Sequence, residues 1–429
     1  MAEQIPRRAA IRAGALLGVG AVVGGCSSGT PTLPSSMSAT VSSAPPSNSQ
    51  PTTAPPALSP PATTPPNTSP RHTASSTAST SASSPPGPTT EELRRTIAGL
   101  LILGFRGATM REAASVAQAI STQGLGGVIV FDQGLGGSRN ISSPSQLKAL
   151  ISGLQMLAGG RLIVGIDQEG GIIARLGPAT GFPAVASQAS IGATGSLTQA
   201  HRWAAGLAAT LQQVGVTLNF APVVDANVNP TNPAIGALGR SFSADPNVVA
   251  QMALAEIAEH HSRGVATTMK HFPGLGSAEV NTDFGIADVT VTWSSRELEP
   301  FRAVIAAGVA DVVMAAHLIN RNLDSRYPAS LSHSMVTGLL RGQLGWQGPV
   351  VTDDMGAAAI RTTFGQVEAI ALALNAGCDL LLLGNQVNYD PNLTTTLVNI
   401  IVGLVNNGAV TWRQLKASSA RVDKLRGVG

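Results

Sequence analysis

The feature that most constrains this chain is a repeated pattern beyond residue 90, in which eight short apolar runs alternate with longer amphipathic stretches. The runs are Leu101 to Phe105, Gly127 to Phe131, Leu162 to Asp167, Thr217 to Asp225, Ala266 to His271, Asp311 to His317, Pro349 to Asp354 and Asp379 to Gly384. Between them the spacing predicts helices over Thr109 to Thr122, Leu147 to Leu157, Leu197 to Val214, Asn247 to His261, Glu297 to Ala307 and Gln366 to Ala376, the last closed by Gly377 as a C-cap. Apolar strands alternating with helices read as βα units around a parallel sheet. Eight such units over about 300 residues predict a (β/α)8 TIM-type barrel, with a doubly wound open sheet as the alternative.

The polar residues favour the barrel. Asp167, Asp225, Lys270, His271, His317 and Asp353 all fall at C-terminal ends of apolar runs, the face where a barrel gathers its active site. Any one of them alone reads equally well as a cap or a solvated loop residue.

Composition changes sharply before residue 90, so one folded domain over 91–429 is expected. Arg7, Arg8 and Arg12 precede an Ala/Gly/Leu/Val run and the small residues Val23-Gly24-Gly25 before Cys26, which reads as a signal peptide over 1–25. The apolar run from Ala13 to Val23 is too short to span a ~30 Å hydrocarbon core as a helix. The residues before Cys26 resemble a bacterial lipobox, and that resemblance implies cleavage before Cys26, a lipidated thiol and anchoring at the outer face of a membrane. From Ser27 to Thr90 the chain is nearly all Ser, Thr, Pro and Ala with no Asp or Glu, a composition that cannot offset the entropy of ordering. A disordered tether follows, able to reach on the order of 100 Å at up to ~3.1 Å per residue.

The formal charge is +3, and the leader holds three Arg against Glu3, or +2 of it. With no dense Lys/Arg run beyond Cys26, nucleic acid is excluded as a partner. Cys26 and Cys378 are the only cysteines, too few for a disulfide framework or a cysteine-held metal, and Cys378 reads as a small buried residue.

Five motifs carry the chemistry: Gly165-Ile166-Asp167-Gln168-Glu169-Gly170-Gly171, Asn219-Phe220-Ala221-Pro222-Val223-Val224-Asp225, Arg240-Ser241-Phe242, Lys270-His271-Phe272-Pro273-Gly274-Leu275-Gly276 and Val351-Thr352-Asp353-Asp354-Met355. In this order they resemble glycoside hydrolase family 3, in particular its single-domain β-N-acetylglucosaminidases. Retaining glycoside hydrolysis needs a nucleophilic carboxylate and an acid about 5 Å apart, with no metal or organic cofactor. The resemblance implies Asp353 as nucleophile; strand periodicity alone does not choose between it and Asp354. It also implies that Asp167, Arg175, Lys270 and His271 hold sugar hydroxyls and that Arg240 lies beside the N-acetyl group.

The chain departs from the family where the family places Asp-Ser-His to supply the acid and base. Here the spacing reads Asn281-Thr282-Asp283, while Leu275 replaces a common His and Ile172 an Arg. Asp283 is expected to act as the acid, because a carboxyl near a closing sugar ring is desolvated and stays protonated. The expected function is release of terminal β-linked N-acetylglucosamine from muropeptides or related glycans by a monomeric, lipid-anchored enzyme. A wall-glycan-binding lipoprotein without acid catalysis, and a family 3 β-glucosidase or phosphorylase, are the alternatives.

Overall fold

The computed structural model describes residues 87–134 and 137–427; the expected signal peptide, Cys26 and the tether up to residue 86 lie outside them. Eight strands form one sheet: β1 Leu101–Gly104, β2 Gly127–Ile129, β3 Ile163–Ile166, β4 Leu218–Asn219, β5 Ala266–Phe272, β6 Val312–Ala315, β7 Val350–Thr352 and β8 Leu381–Leu383. Each lies inside one of the apolar runs, apart from β5, which extends one residue past its run to Phe272, and the strand residues are buried because helices cover one face and the barrel interior the other.

Neighbours pair in parallel in the order β7-β6-β5-β4-β3-β2-β1-β8. The two ends meet through a parallel bridge between Val351 and Leu380, where Asp379 N donates to Val350 O at 2.7 Å and Thr352 N to Leu380 O at 3.0 Å. That closure decides for the barrel over the open sheet. At the upper rim β1 and β8 approach so closely that a Cβ on Gly104 would collide with the Gly384 carbonyl.

The helices start where short polar side chains can cap them: Ser143 before Pro144–Leu157, Ser196 before Leu197–Val214 and Asp245 before Pro246–His261. Gly377 closes Gln366–Ala376 in the left-handed region, φ 106°, as the sequence predicts.

Four differences from the sequence expectations have physical causes. The fourth strand is two residues long rather than running to Asp225, because Pro222 has no N–H to give the ladder; the chain still follows β5, with Val224 N donating to Lys270 O at 2.8 Å. The helix expected from Thr109 begins at Ala114 and continues as a π-helical turn to Gln123, since the Glu112 carboxylate accepts from Ala108 N and Thr109 N and holds a turn there. A helix over Thr90–Gly99, capped by Thr89, precedes β1 where the sequence pattern suggested no element. Three further helical segments, Ser334–Gln343, Leu393–Asn406 and Trp412–Leu425, were hidden by Gly, β-branched or polar content that weakens periodicity.

At the base, Asp379 is fully buried and accepts from Val350 N, Arg341, Ser418 and Arg421, tying the final helix to β7 and β8. Cys378 is buried as expected, its thiol donating to Ser330 O at 3.4 Å. Among the described residues no helix is long and apolar enough to cross a membrane.

Candidate active site

The upper ends of β3, β4, β5 and β7 build the site. After β3 the chain makes a tight hairpin, Gln168–Gly170 pairing antiparallel with Ile173–Ala174. Its turn needs Gly170 (φ 91°) and Gly171 (φ 61°), a conformation L side chains rarely adopt. The hairpin returns Arg175 toward Asp167, their side chains 3.6 Å apart. Reciprocal amide bonds between Asn219 and the backbone of Gln168, both 3.0 Å, fix the segment from β4.

A buried ionic network follows. Lys270, 2% exposed, places Nζ 2.8 Å from Asp167 Oδ1 and 2.6 Å from Glu169 Oε1. Arg240 grips Glu169 with two bonds of 2.7 and 2.8 Å, donates to Ala234 O at 2.7 Å and lies 3.3 Å from His271 Nε2. Burial pushes the Glu169 carboxyl up, but Arg240 and Lys270 outweigh it and hold the group well below the usual range. Burial acts the same way on Asp167, and Lys270 and Arg175 reverse it. Conversely, burial disfavours charge on Lys270 and Arg240, and the facing carboxylates raise both. All four groups are therefore held ionised, as buried charges must be when paired.

His271 is held on both ring nitrogens. Asp225 accepts from His271 Nδ1 at 2.7 Å, from His271 N at 3.1 Å and from Leu275 N at 2.7 Å. With Nδ1–H directed to Asp225, Nε2 is the acceptor facing Arg240, so both ring nitrogens are occupied within the protein. His317, read with the strand-end group, is likewise occupied, by Ser330 Oγ at 2.7 Å and Asp354 O at 2.9 Å.

The two adjacent aspartates after β7 are distinguished by their bonds. Asp354 Oδ1 accepts from Gly356 N and Gly384 N, both at 2.9 Å, so this carboxylate joins the β7 and β8 loops. Asp353 continues the ladder through its N–H to Ala315 O at 3.0 Å, and among the described residues its Oδ1 accepts only from Asp354 N at 2.9 Å.

Asp283 lies on the loop after β5. Asn281 Oδ1 accepts from Asp283 N at 2.9 Å, and the loop is tied to the β7 loop by Ala358 N to Asp283 O at 3.2 Å and Ala359 N to Thr282 O at 3.4 Å. The residue is exposed, yet partial desolvation of its carboxyl by the surrounding loops, and then the Asp353 charge, raise its pKa. Arg240, Asp167 and His271 also act on it, so its carboxyl lies within electrostatic reach of the same constellation.

All seven predicted site residues other than Cys26 thus gather at one end of the barrel. Arg240, Lys270 and His271 depart from simple sugar contacts: four of the five Arg240 N–H groups are spent inside the protein, Lys270 is buried against two carboxylates, and both His271 ring nitrogens are occupied. Glu169, which lies in the first motif but outside the expected site residues, is the hub of the network; its signal in the sequence is a carboxylate two residues beyond Asp167, on the same side of an extended segment. Of the two other departures, Leu275 is buried in an apolar cluster with Val223 and Ile235, and Ile172 is exposed on the hairpin turn.

The family model for the glycosyl hydrolase family 3 N terminal domain matches residues 92–425. A beta-hexosaminidase of Xylella fastidiosa (strain M23) is 35% identical over 334 residues, covering 74% of this chain and 94% of the relative. Among solved structures, a glycoside hydrolase family 3 beta-N-acetylglucosaminidase from Paenibacillus sp. str. FPU-7 superposes with a TM-score of 0.71 at 32% identity, covering 78% of this chain and 63% of that one. A beta-N-acetylhexosaminidase from Beutenbergia cavernae DSM 12333 gives 0.70 at 30% identity, covering 78% of this chain and 98% of its own.

Proposed function

The chain belongs to glycoside hydrolase family 3, and we propose that it is a retaining β-N-acetylglucosaminidase in which Asp353 is the nucleophile and Asp283 the acid and base. The observation that carries this reading is the pairing of the β5 and β7 loops, which brings a carboxyl with a raised pKa beside the Asp353 carboxylate. Two carboxyls in unequal environments can divide the roles, one protonated to release the leaving group and one ionised to attack.

In the first step Asp353 bonds to the anomeric carbon while Asp283 protonates the glycosidic oxygen; in the second, Asp283 as carboxylate takes a proton from water, which displaces Asp353. Asp167, Arg175 and Lys270 offer charge-assisted bonds to sugar hydroxyls, and His271 and the remaining Arg240 N–H line the same pocket. The relatives' names favour an N-acetylated amino sugar.

The envelope setting rests on the sequence beyond the barrel. Cys26 after small residues and a Ser/Thr/Pro-rich tether suit an exported lipoprotein whose catalytic domain reaches wall glycans or muropeptides. The binding-protein alternative draws on the altered Asn281-Thr282-Asp283 loop, and the raised pKa of Asp283 weighs against it.

A panel of aryl β-glycosides tests the activity. Turnover is expected on the N-acetylglucosaminide and not to depend on phosphate, and a 5-fluoro glycoside should leave its label on Asp353. A label on Asp354, or hydrolysis of the glucoside alone, refutes the assignment.

A further inference from the structure

The loops after β4 and β5 form one joined sector of the barrel mouth. The stretch from Ala226 to Gly239 carries no charged residue. It is laced onto the start of the β5 loop: Asn229 N donates to Gly276 O and Asn229 Nδ2 to Ala278 O, both at 3.1 Å, and Asn232 Nδ2 donates to Leu275 O at 2.6 Å. Val228 therefore stands beside the stretch that leads to Asp283. There Phe284 N and Gly285 N both donate to Asn281 O, at 3.0 and 3.2 Å, a turn that folds Val280 back until its Cγ1 lies 3.6 Å from the position of a Cβ on Gly285.

Polar and apolar side chains of this sector are sorted against the usual sense. Asn229 Oδ1 accepts from Thr231 N and Oγ1, Asn232 Oδ1 from Ala234 N and Ile235 N, and Asn281 Oδ1 from Asp283 N, so these amides are spent within the loops. The side chains left to solvent are Val228, Val280 and Phe284, which are 50, 41 and 73% exposed. One exposed apolar residue needs no explanation, but three on two joined loops mark a contact surface. Charge in the sector is sparse. Asp288 and Arg321 pair with each other at 3.1 Å, and Arg361, on the segment bonded to the Asp283 loop, lines the separate cavity between the β7 and β8 loops. Beyond Asp283 itself, Glu279 is the exposed charge of the loop.

The reaction indicates what covers this surface. A general acid protonates the oxygen joining the sugar to its leaving group, so the leaving group departs from beside Asp283, whereas Asp167, Arg175 and Lys270 are assigned to the sugar that is retained. A second sugar in that place would find the loop amides already bonded, while a hydrocarbon would meet Phe284, the residue next to the acid, and the two valines. We propose that Val228, Val280 and Phe284 form an apolar subsite that takes an alkyl or aryl leaving group. The proposal rests on the glycosidase reading above, with Asp283 as the acid.

Methyl, butyl and hexyl β-N-acetylglucosaminides test it with the full chain. Their alkanol leaving groups are nearly equal in acidity, so differences in kcat/KM report contact and not reactivity. The value should rise roughly tenfold from methyl to hexyl as methylene groups leave water, and hexyl should exceed N,N′-diacetylchitobiose, whose leaving group is a sugar. Phe284→Ser should cut the hexyl-to-methyl ratio several-fold, and Val228→Ser, on the other loop, should cut it too; a ratio taken within one variant cancels any loss common to both substrates. Equal kcat/KM across the alkyl series, chitobiose above hexyl, or a ratio untouched by both substitutions overturns the subsite. Absence of turnover on every substrate would refute the glycosidase reading instead, and calorimetric affinities for the hexyl and methyl 1-thioglycosides, which are not hydrolysed, would still decide the subsite.

Discussion

At the scale of single residues, the site separates groups that hold charge permanently from the one group free to exchange a proton. Asp167, Glu169, Lys270 and Arg240 are locked as ions by one another, and His271 is saturated by Asp225 and Arg240. Asp283 differs because among the described residues its side chain has no hydrogen-bonded partner of opposite charge, while partial desolvation and Asp353 favour its protonated form. Its folded pKa is raised, so the acid is available at low pH and lost as pH rises through that value. The rate on poor leaving groups should therefore fall on an alkaline limb lying above the ordinary carboxyl range. Asp283→Ala should abolish that limb, slow poor leaving groups by about 10²- to 10⁴-fold, and be rescued by azide in deglycosylation. Equal losses on good and poor leaving groups would make Asp283 a binding residue.

At the scale of elements, two buried carboxyls show opposite ways of surviving burial. Asp379 is fully paired, bonding Arg341, Arg421, Ser418 and Val350 N, and so clamps the segment over Ser334–Gln343 and the helix over Trp412–Leu425 to the barrel base. Asp379→Ala strands two arginines and should cost about 3–5 kcal/mol in denaturant unfolding, with active-site residues untouched. Glu297, under the Gly274–Ser277 turn after β5, has one weak bond, from Ser277 N at 3.3 Å, and an unpartnered Oε1. Burial pushes its pKa up to about 8, opposed by Ser277 and helped by Asp225. Its folded pKa is above the unfolded value, so its neutral form stabilises the fold fully at acid pH, and that contribution is lost as pH rises toward about 8. Glu297→Gln should match the parent near pH 5 and melt a few degrees higher near pH 8; parallel melting curves at both pH values would contradict this.

At the scale of the whole molecule, the proposed catalysis and the proposed anchoring fall on separate stretches of chain. A fragment beginning at Gly87 keeps the Thr89 cap and should retain the activity of the longer soluble form, whereas one beginning at Glu91 loses the cap and about 1 kcal/mol of stability. Cys26→Ala should release the protein from membranes without altering kcat/KM, and a variant that still sediments with membranes in high salt would contradict lipid anchoring. The number of strands and the positions of Asp167, Lys270 and Asp353 at their ends were legible in the sequence, because a strand buried on both faces is a continuous apolar run and a polar residue at its end stands out. The shortened β4 was foreseeable in Pro222, and the helix over Leu393–Asn406 was obscured by its Thr and Val content. What only the tertiary structure decided is how residues distant in the chain share charge and space. Closure of β7 onto β8, the grip of Glu169 on Arg240 and Lys270, the turning of Asp354 toward Gly384, and the influence of Asp353 on Asp283 all arise between segments 29 to 101 residues apart. No local propensity encodes such contacts, since each depends on burial and electrostatics that exist only once the barrel has closed.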